Sequence, residues 1–245
     1  MRSIIGAEGA DVGKLLMSGA ILLLGGVMVL VFSLFPFKQG NGMAPTGGDR
    51  IALPEPRYES ASSLEATLAE RRSVRTFRDE PLSLTETAQL LWAAQGITDR
   101  ARGLRTAPSA GALYPMEVFL VVRKADGLSP GVYRYLPGSH ELESVRAGDL
   151  SGALAEAALG QSSIREAPAA IVLAGVYART RGRYGDRTER YVHMEAGHVG
   201  QNIALQAAAL GLSSVMMGAF QDLEVARVVG MSTGEAPLYI IPVGK

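Results

Sequence analysis

Arg71-Arg72-Ser73-Val74-Arg75 is the run in this 245-residue chain whose residue types and spacing could most readily do chemistry. Three guanidiniums and a hydroxyl within five positions can grip a phosphate monoester through planar, paired donors, each charge-assisted bond contributing about 1.5–3 kcal/mol. Helix geometry leaves two arrangements open. Neighbours on a helix point about 100° apart, so a continuing helix aligns Arg71 with Arg75 and turns Arg72 away. A helix that ends near Arg72 puts Ser73 and Arg75 on extended backbone, and all three arginines can converge. The run also suits a solvated basic face at a helix C-terminus, where positive charge complements the macrodipole.

A second stretch, Pro108-Ser109-Ala110-Gly111-Ala112, keeps its side chains small between Pro108 and Pro115. Such backbone can lie flat against a planar ring and offer N–H and C=O groups to its edge, stiffened by proline at either end. An ordinary turn before a strand would read the same way. No P-loop occurs, and no G-x-G-x-x-G follows a strand, so a Rossmann-type dinucleotide site is not indicated. His193-x-Glu195-x-x-His198 has metal-ligand residue types, but histidines five apart on a helix do not share a face as those of H-E-x-x-H do. No metal site is expected, and His198, Gln201 and Asn202 are read as facing a neighbouring loop or satisfying buried polar groups.

The elements that must position these residues follow from periodicity. Ser62 and Glu65 are spaced as a capping box opening a helix over Leu64 to Glu70. Ser83 and Glu86 open a second helix that runs through Gln95, with Gly96 just past its end and Trp92 facing the core. Val118 to Val122 and Ala169 to Tyr177 are continuous apolar runs that predict buried strands. Val132 to Tyr135 and Leu142 to Val145 predict a hairpin, and Leu150 to Leu159 a helix. Arg179 to Arg187 reads as a polar loop. A long helix follows over Tyr191 to Leu210, ended by Gly211 and apolar nearly all round in its later half. Ser213 to Met217 is strand-like, Leu223 to Val229 helical, and Leu238 to Val243 a last strand. Strands and helices without strict βαβ alternation predict an α+β sandwich.

The charge balance, 24 basic against 24 acidic residues, argues against nucleic acid as a partner. Without cysteine the chain has neither disulfides nor thiolate chemistry. Leu15 to Phe37 carries no charge over 23 positions, enough at about 1.5 Å per residue to cross a hydrocarbon core of roughly 30 Å. No cleavage-site pattern follows, so residues 1–14 are read as a short flank and 15–37 as an uncleaved single-pass membrane anchor. Residues 38–63, rich in Gly, Pro and Ser, are read as a linker arm leading to one domain over 64–245.

Taken in order, these blocks form a known series. Leu53-Pro-Glu-Pro56, Arg71 to Arg75, Leu90-Leu-Trp-Ala-Ala-Gln-Gly96 and Arg105-Thr-Ala-Pro-Ser-Ala-Gly-Ala-Leu-Tyr-Pro115 come first. Gly131-Val-Tyr-Arg-Tyr135, Arg183-Tyr-Gly-Asp-Arg187 and Glu195-Ala-Gly-His-Val-Gly-Gln-Asn202 complete it. The series resembles the nitroreductase superfamily and, within it, the SagB-type (thiazole/oxazole-type) dehydrogenases. The resemblance implies an FMN-binding α+β fold, an intertwined homodimer with flavin at the interface, NAD(P)H as co-substrate, and a small-molecule or peptide substrate. It implies that Arg71, Arg72, Ser73 and Arg75 hold the flavin phosphate and ribityl chain, and that Pro108, Ser109, Ala110, Gly111 and Ala112 lie along the isoalloxazine. Met217, Gly218 and Ala219 fall where relatives run backbone past the ring, and Lys245 where they place another phosphate-binding residue. Azoline-oxidising members carry Lys-Tyr where this chain has Arg183-Tyr184. Arginine stays protonated near neutrality and is a poor base, so the pair is expected at the reactive face without that activity.

Overall fold

A computed structural model describes residues 48–245. The expected anchor at 15–37 lies outside the described residues. Among the described residues no helix is long and apolar enough to cross a membrane.

A seven-stranded sheet organises the domain. Its strands are β1 (Arg50–Ala52), β4 (Met116–Val122), β5 (Gly131–Leu136), β6 (Glu141–Ala147), β7 (Ala169–Gly175), β8 (Ser213–Ser214) and β9 (Ala236–Gly244), with β2 (Ile97–Asp99) and β3 (Leu104–Arg105) forming a separate two-stranded piece. The order is β1-β6-β5-β4-β7-β9-β8, every neighbouring pair antiparallel. Alternate residues of β4 enter different cores: Val118, Leu120 and Val122 join one cluster, Phe119 and Val121 the other. Burial on both faces is why this strand reads as an unbroken apolar run. The first cluster is closed by α2 (Leu84–Gln95) and α6 (Thr188–Ala209), the second by α3 (Ser151–Ala157), α4 (Ser162–Glu166) and α7 (Asp222–Val229). The α+β sandwich predicted from the pattern is present.

Local departures from the sequence reading have physical causes. The arm at 38–63 contains β1, which pairs Arg50 to Ala52 with Glu143 to Glu141 and so belongs to the sheet. Helix α1 (Leu64–Glu70) is capped by Ser63, not Ser62: the Ser63 hydroxyl accepts from Ala66 N at 3.1 Å. Ser83 and Glu86 do form the reciprocal box that opens α2. Gly96 ends α2 with ordinary extended backbone (φ −60°). Glycine is required there by crowding, since a Cβ would sit 2.1 Å from Trp92 Cδ1. The segment read as a polar loop at 179–187 is largely helix α5 (Tyr177–Tyr184), stopped by Gly185 at φ +49°. Glycine at 182 weakens a helix without breaking it, and packing against α6 supplies the rest. The later half of α6 buries Ile203, Ala204 and Ala207, while Leu205, Gln206 and Leu210 stay half-buried. Trp92 is likewise half-buried, meeting Tyr58 edge-to-face at 5.5 Å. Together Trp92, Leu205 and Leu210 leave an open, largely apolar face where the sequence predicted a helix buried on most sides.

Candidate functional site

The basic cluster resolves in favour of the early-ending helix. Arg71 is the C-cap of α1 with φ −51° and ψ 129°, and the chain beyond it is extended. Ser73 forms a parallel bridge with Ser214, and Val74 N donates to Ser214 O at 3.0 Å. Arg72 does not converge with its neighbours. Its Nη1 donates to Ala69 O and Arg71 O, both at 2.7 Å, satisfying carbonyls that the helix end leaves open. The Arg71 and Arg75 guanidiniums make no hydrogen bond or ion pair among the described residues; Arg71 is half-buried and Arg75 exposed. Lys245 lies close by: its carbonyl accepts from Arg78 N at 2.7 Å. Lys245 lines a cavity of about 610 Å³ with Thr76, Arg78 and Ser213.

The second predicted stretch forms a strained turn. Gly111, Ala112 and Tyr114 have φ of +62°, +53° and +46°, the last two uncommon for residues with a Cβ. Three contacts hold it. Ser109 Oγ accepts from Tyr114 N at 2.9 Å, Tyr114 OH accepts from Arg105 N at 3.2 Å, and Tyr114 O accepts from Arg179 Nη1 at 3.0 Å. The Arg105 guanidinium also lies over the Tyr114 ring, 4.5 Å from its centroid. Helix α5 delivers Arg183 and Tyr184 onto this turn: a Cβ on Gly111 would lie 2.9 Å from both Arg183 Nη1 and Tyr184 OH. The tertiary structure therefore joins Gly111 to Arg183 and Tyr184, which the sequence separates by some seventy positions. His198 and Asn202 face neighbouring backbone as expected, with His198 Nδ1 3.4 Å from Pro108 O and Asn202 Nδ2 donating to Ala93 O at 3.1 Å.

Glu195 is the residue to which sequence reasoning gave no role. It projects from α6 beneath the turn, is 2 % exposed, and neither carboxyl oxygen has a hydrogen-bond partner. Burial pushes its carboxyl up to about 7, only partly offset by the approaching Ser109 hydroxyl and by Arg105. Burial likewise lowers Arg105, with Glu117 opposing. The signal in the sequence was an acid flanked by Ala196 and Val192 on a helix face packed into the core, legible only once that face is known.

Met217, Gly218 and Ala219 lie on the return from β8. Met217 is buried and bridges Ile240, whereas Gly218 and Ala219 are exposed. The remaining predicted residues fall into two groups. The turn meets α6 at Glu195 and His198, while the 71–75 segment meets the chain just beyond the other end of that helix. The eleven residue steps from His198 to Ala209 correspond to about 16 Å of helix.

The family model for nitroreductases matches residues 68–245. The chain belongs to the nitroreductase family. A Methanocaldococcus jannaschii protein named as a nitroreductase, MJ1384, is 44% identical over 198 residues, 81% of this chain and 98% of its own length. The Escherichia coli microcin B17-processing protein McbC is 31% identical over 165 residues, 65% of this chain and 61% of its own. Among solved structures, a nitroreductase-type protein of Ralstonia eutropha JMP134 aligns with a TM-score of 0.71 at 30% identity, covering 83% of this chain and 95% of that one. The E. coli microcin synthetase McbBCD complex with truncated pro-MccB17 aligns with a TM-score of 0.62 at 26% identity, covering 88% and 84%. Nitroreductase-like α+β architecture is thereby established for the described domain.

Proposed function

We propose that this protein is an FMN-dependent oxidoreductase that takes electrons from NAD(P)H, works as a homodimer and is held at a membrane by its N-terminal segment. The observation that carries the flavin reading is the pair Arg71 and Arg75, without partners among the described residues and flanking Ser73. A half-buried and an exposed guanidinium, both without side-chain partners, beside a hydroxyl are a donor set for a phosphate monoester. Lys245 adds a further cation at that end, while Gly111, Gly218 and Ala219 offer exposed backbone of the kind a planar ring can approach. Bound flavin would supply two-electron transfer between the nicotinamide and the acceptor.

The chain's own groups then have distinct tasks. Arg71 and Arg75 bind and orient the phosphate. Tyr184 offers a phenol beside Gly111 that can hold or pass a proton to substrate. Arg183 keeps its charge and favours an anionic substrate oxygen, a different task from the base that a lysine could serve. The distance along α6 between the two groups supports a dimeric site, in which the 71–75 segment of one protomer faces the 108–112 turn of its partner. The open face of Trp92, Leu205 and Leu210 has the apolar character that a second copy would cover.

A second reading, a SagB-like dehydrogenase acting on a peptide, is supported by the likeness to McbC and to its complex with truncated pro-MccB17. Purified protein should be yellow, and NAD(P)H oxidation should proceed with a quinone or nitroaromatic acceptor. Protein that takes up no FMN would overturn the flavin reading. Flavin-loaded protein that leaves NAD(P)H unoxidised but is re-oxidised after acting on a peptide would favour the second. A soluble form lacking residues 1–38 keeps β1 and should remain dimeric with flavin bound.

A further inference from the structure

We propose that Glu195 is a positioning residue whose protonation sets the conformation of the Ser109–Tyr114 turn. The geometry is that of a switch built against a strained loop. Glu195 is nearly inaccessible, and both its oxygens lack partners, an arrangement stable only while the carboxyl is neutral. Ser109 already uses its oxygen to accept from Tyr114 N, so its hydroxyl hydrogen is the one free to point at Glu195.

The cation that acts on it is Arg105, which is engaged elsewhere. Its Nη1 donates to Gln95 Oε1 at 2.8 Å, and its guanidinium covers Tyr114. Charge on Glu195 attracts Arg105 and the Ser109 hydroxyl together. The guanidinium is drawn off the Tyr114 ring and the Ser109 hydroxyl is re-aimed, so the turn loses its cation–π contact and the Ser109 side chain that accepts from Tyr114 N shifts, while Arg105 N and Arg179 keep their hydrogen bonds to Tyr114. Two residues with positive φ then have less to hold them. Proton loss at a carboxyl that hydrogen-bonds neither Arg183 nor Tyr184 thus reshapes the turn on which both rest.

Other titratable and charged groups surround this carboxyl. Arg105 faces it from β3, with Glu117 of β4 opposing the Arg105 charge. Arg179, Arg183 and Tyr184 of α5 lie around the turn, and on α6 itself Tyr191 meets Tyr184 edge-to-face at 4.7 Å while His198 meets Pro108 O. His198, the imidazole that meets the same turn at Pro108 O, is the control.

The test is amide hydrogen exchange over residues 109–114 in the full chain between pH 6 and pH 8, corrected for intrinsic exchange. A carboxyl titrating at about 7 in the closed turn and at 4.5 once hydrated makes the opening constant rise about tenfold over that range. Glu195→Gln should flatten this dependence, and His198→Gln should leave it. An unchanged slope in Glu195→Gln, or a slope lost in His198→Gln, overturns the proposal. Carbon-13 titration of the Glu195 carboxyl in the unsubstituted chain gives a second readout that needs no variant. A midpoint below about 5 would equally overturn it. Neither measurement requires flavin or turnover, so the result stands apart from the functional reading.

Discussion

Replacing Gly111 with Ala separates the role of the turn from the stability of the fold. At φ +62° an alanine costs about 1–2 kcal/mol in the left-handed region, offset by about 0.4–1 kcal/mol from the stiffer unfolded chain. Ala112 beside it already adopts φ +53°, so the backbone tolerates a Cβ here. The net loss of about 1 kcal/mol corresponds to about 2–4 °C in Tm for a domain of this size. The added Cβ would lie 2.9 Å from Arg183 Nη1 and Tyr184 OH, and both are tips of flexible side chains. They can retreat by a few tenths of an ångström to an ångström at little cost to folding. A misplacement of about 1 Å at a reacting group costs on the order of a hundredfold in rate. NAD(P)H oxidation with a nitroaromatic acceptor should therefore fall roughly ten- to a hundredfold while Tm falls only slightly. Gly160→Ala is the control: its φ is +75°, nothing lies within 4 Å of its would-be Cβ, and it joins α3 to α4 away from the turn. It should show the same Tm loss with turnover intact. Full activity in Gly111→Ala, or equal activity losses in the two variants, would refute the role given to Arg183 and Tyr184.

Arg75→Ala should weaken FMN by about ten- to a hundredfold in equilibrium dialysis, one charge-assisted contact, and barely affect riboflavin, which lacks the phosphate. Arg72→Ala should leave FMN nearly untouched and instead fray α1 in circular dichroism, because its guanidinium holds that helix's last carbonyls. Gly96→Ala drives a Cβ into Trp92, costing about 1–3 kcal/mol by overpacking. Trp92 is the single tryptophan, so its emission should shift as the ring is expelled, and unchanged fluorescence would contradict the contact. The Glu195 carboxyl is raised from 4.5 to about 7 in the fold, so the stability it contributes is full below pH 4.5 and is lost as pH rises through 7. Denaturant unfolding should show Glu195→Gln gaining on the parent by about 2 kcal/mol from pH 5 to pH 8, a figure reduced for partial solvent screening, and identical pH slopes would oppose the assignment.

Sequence by itself determined the elements whose signals are local. The Ser83–Glu86 box, the strand runs at 118–122 and 169–177, and the glycine after α6 all depend on neighbours within a few positions, and the structure has each, the second strand ending at Gly175. The basic residues at 71–75 were legible as a group because their types and spacing are themselves the signal. Tertiary structure decided what depends on distant partners. Whether α1 continued past Glu70 could not be read locally, because the Ser73–Ser214 bridge that draws the chain out lies some 140 positions away. Helix α5 was hidden because its polar, glycine-containing sequence has weak helical propensity, and packing against α6 overrides it. Strand β1 was hidden because three residues between loops carry no period, and the β6 edge alone gives them structure. Glu195 was hidden for a related reason: a helical acid is ordinarily solvated, and only the docking of the 108–114 turn over α6 removes water from this one.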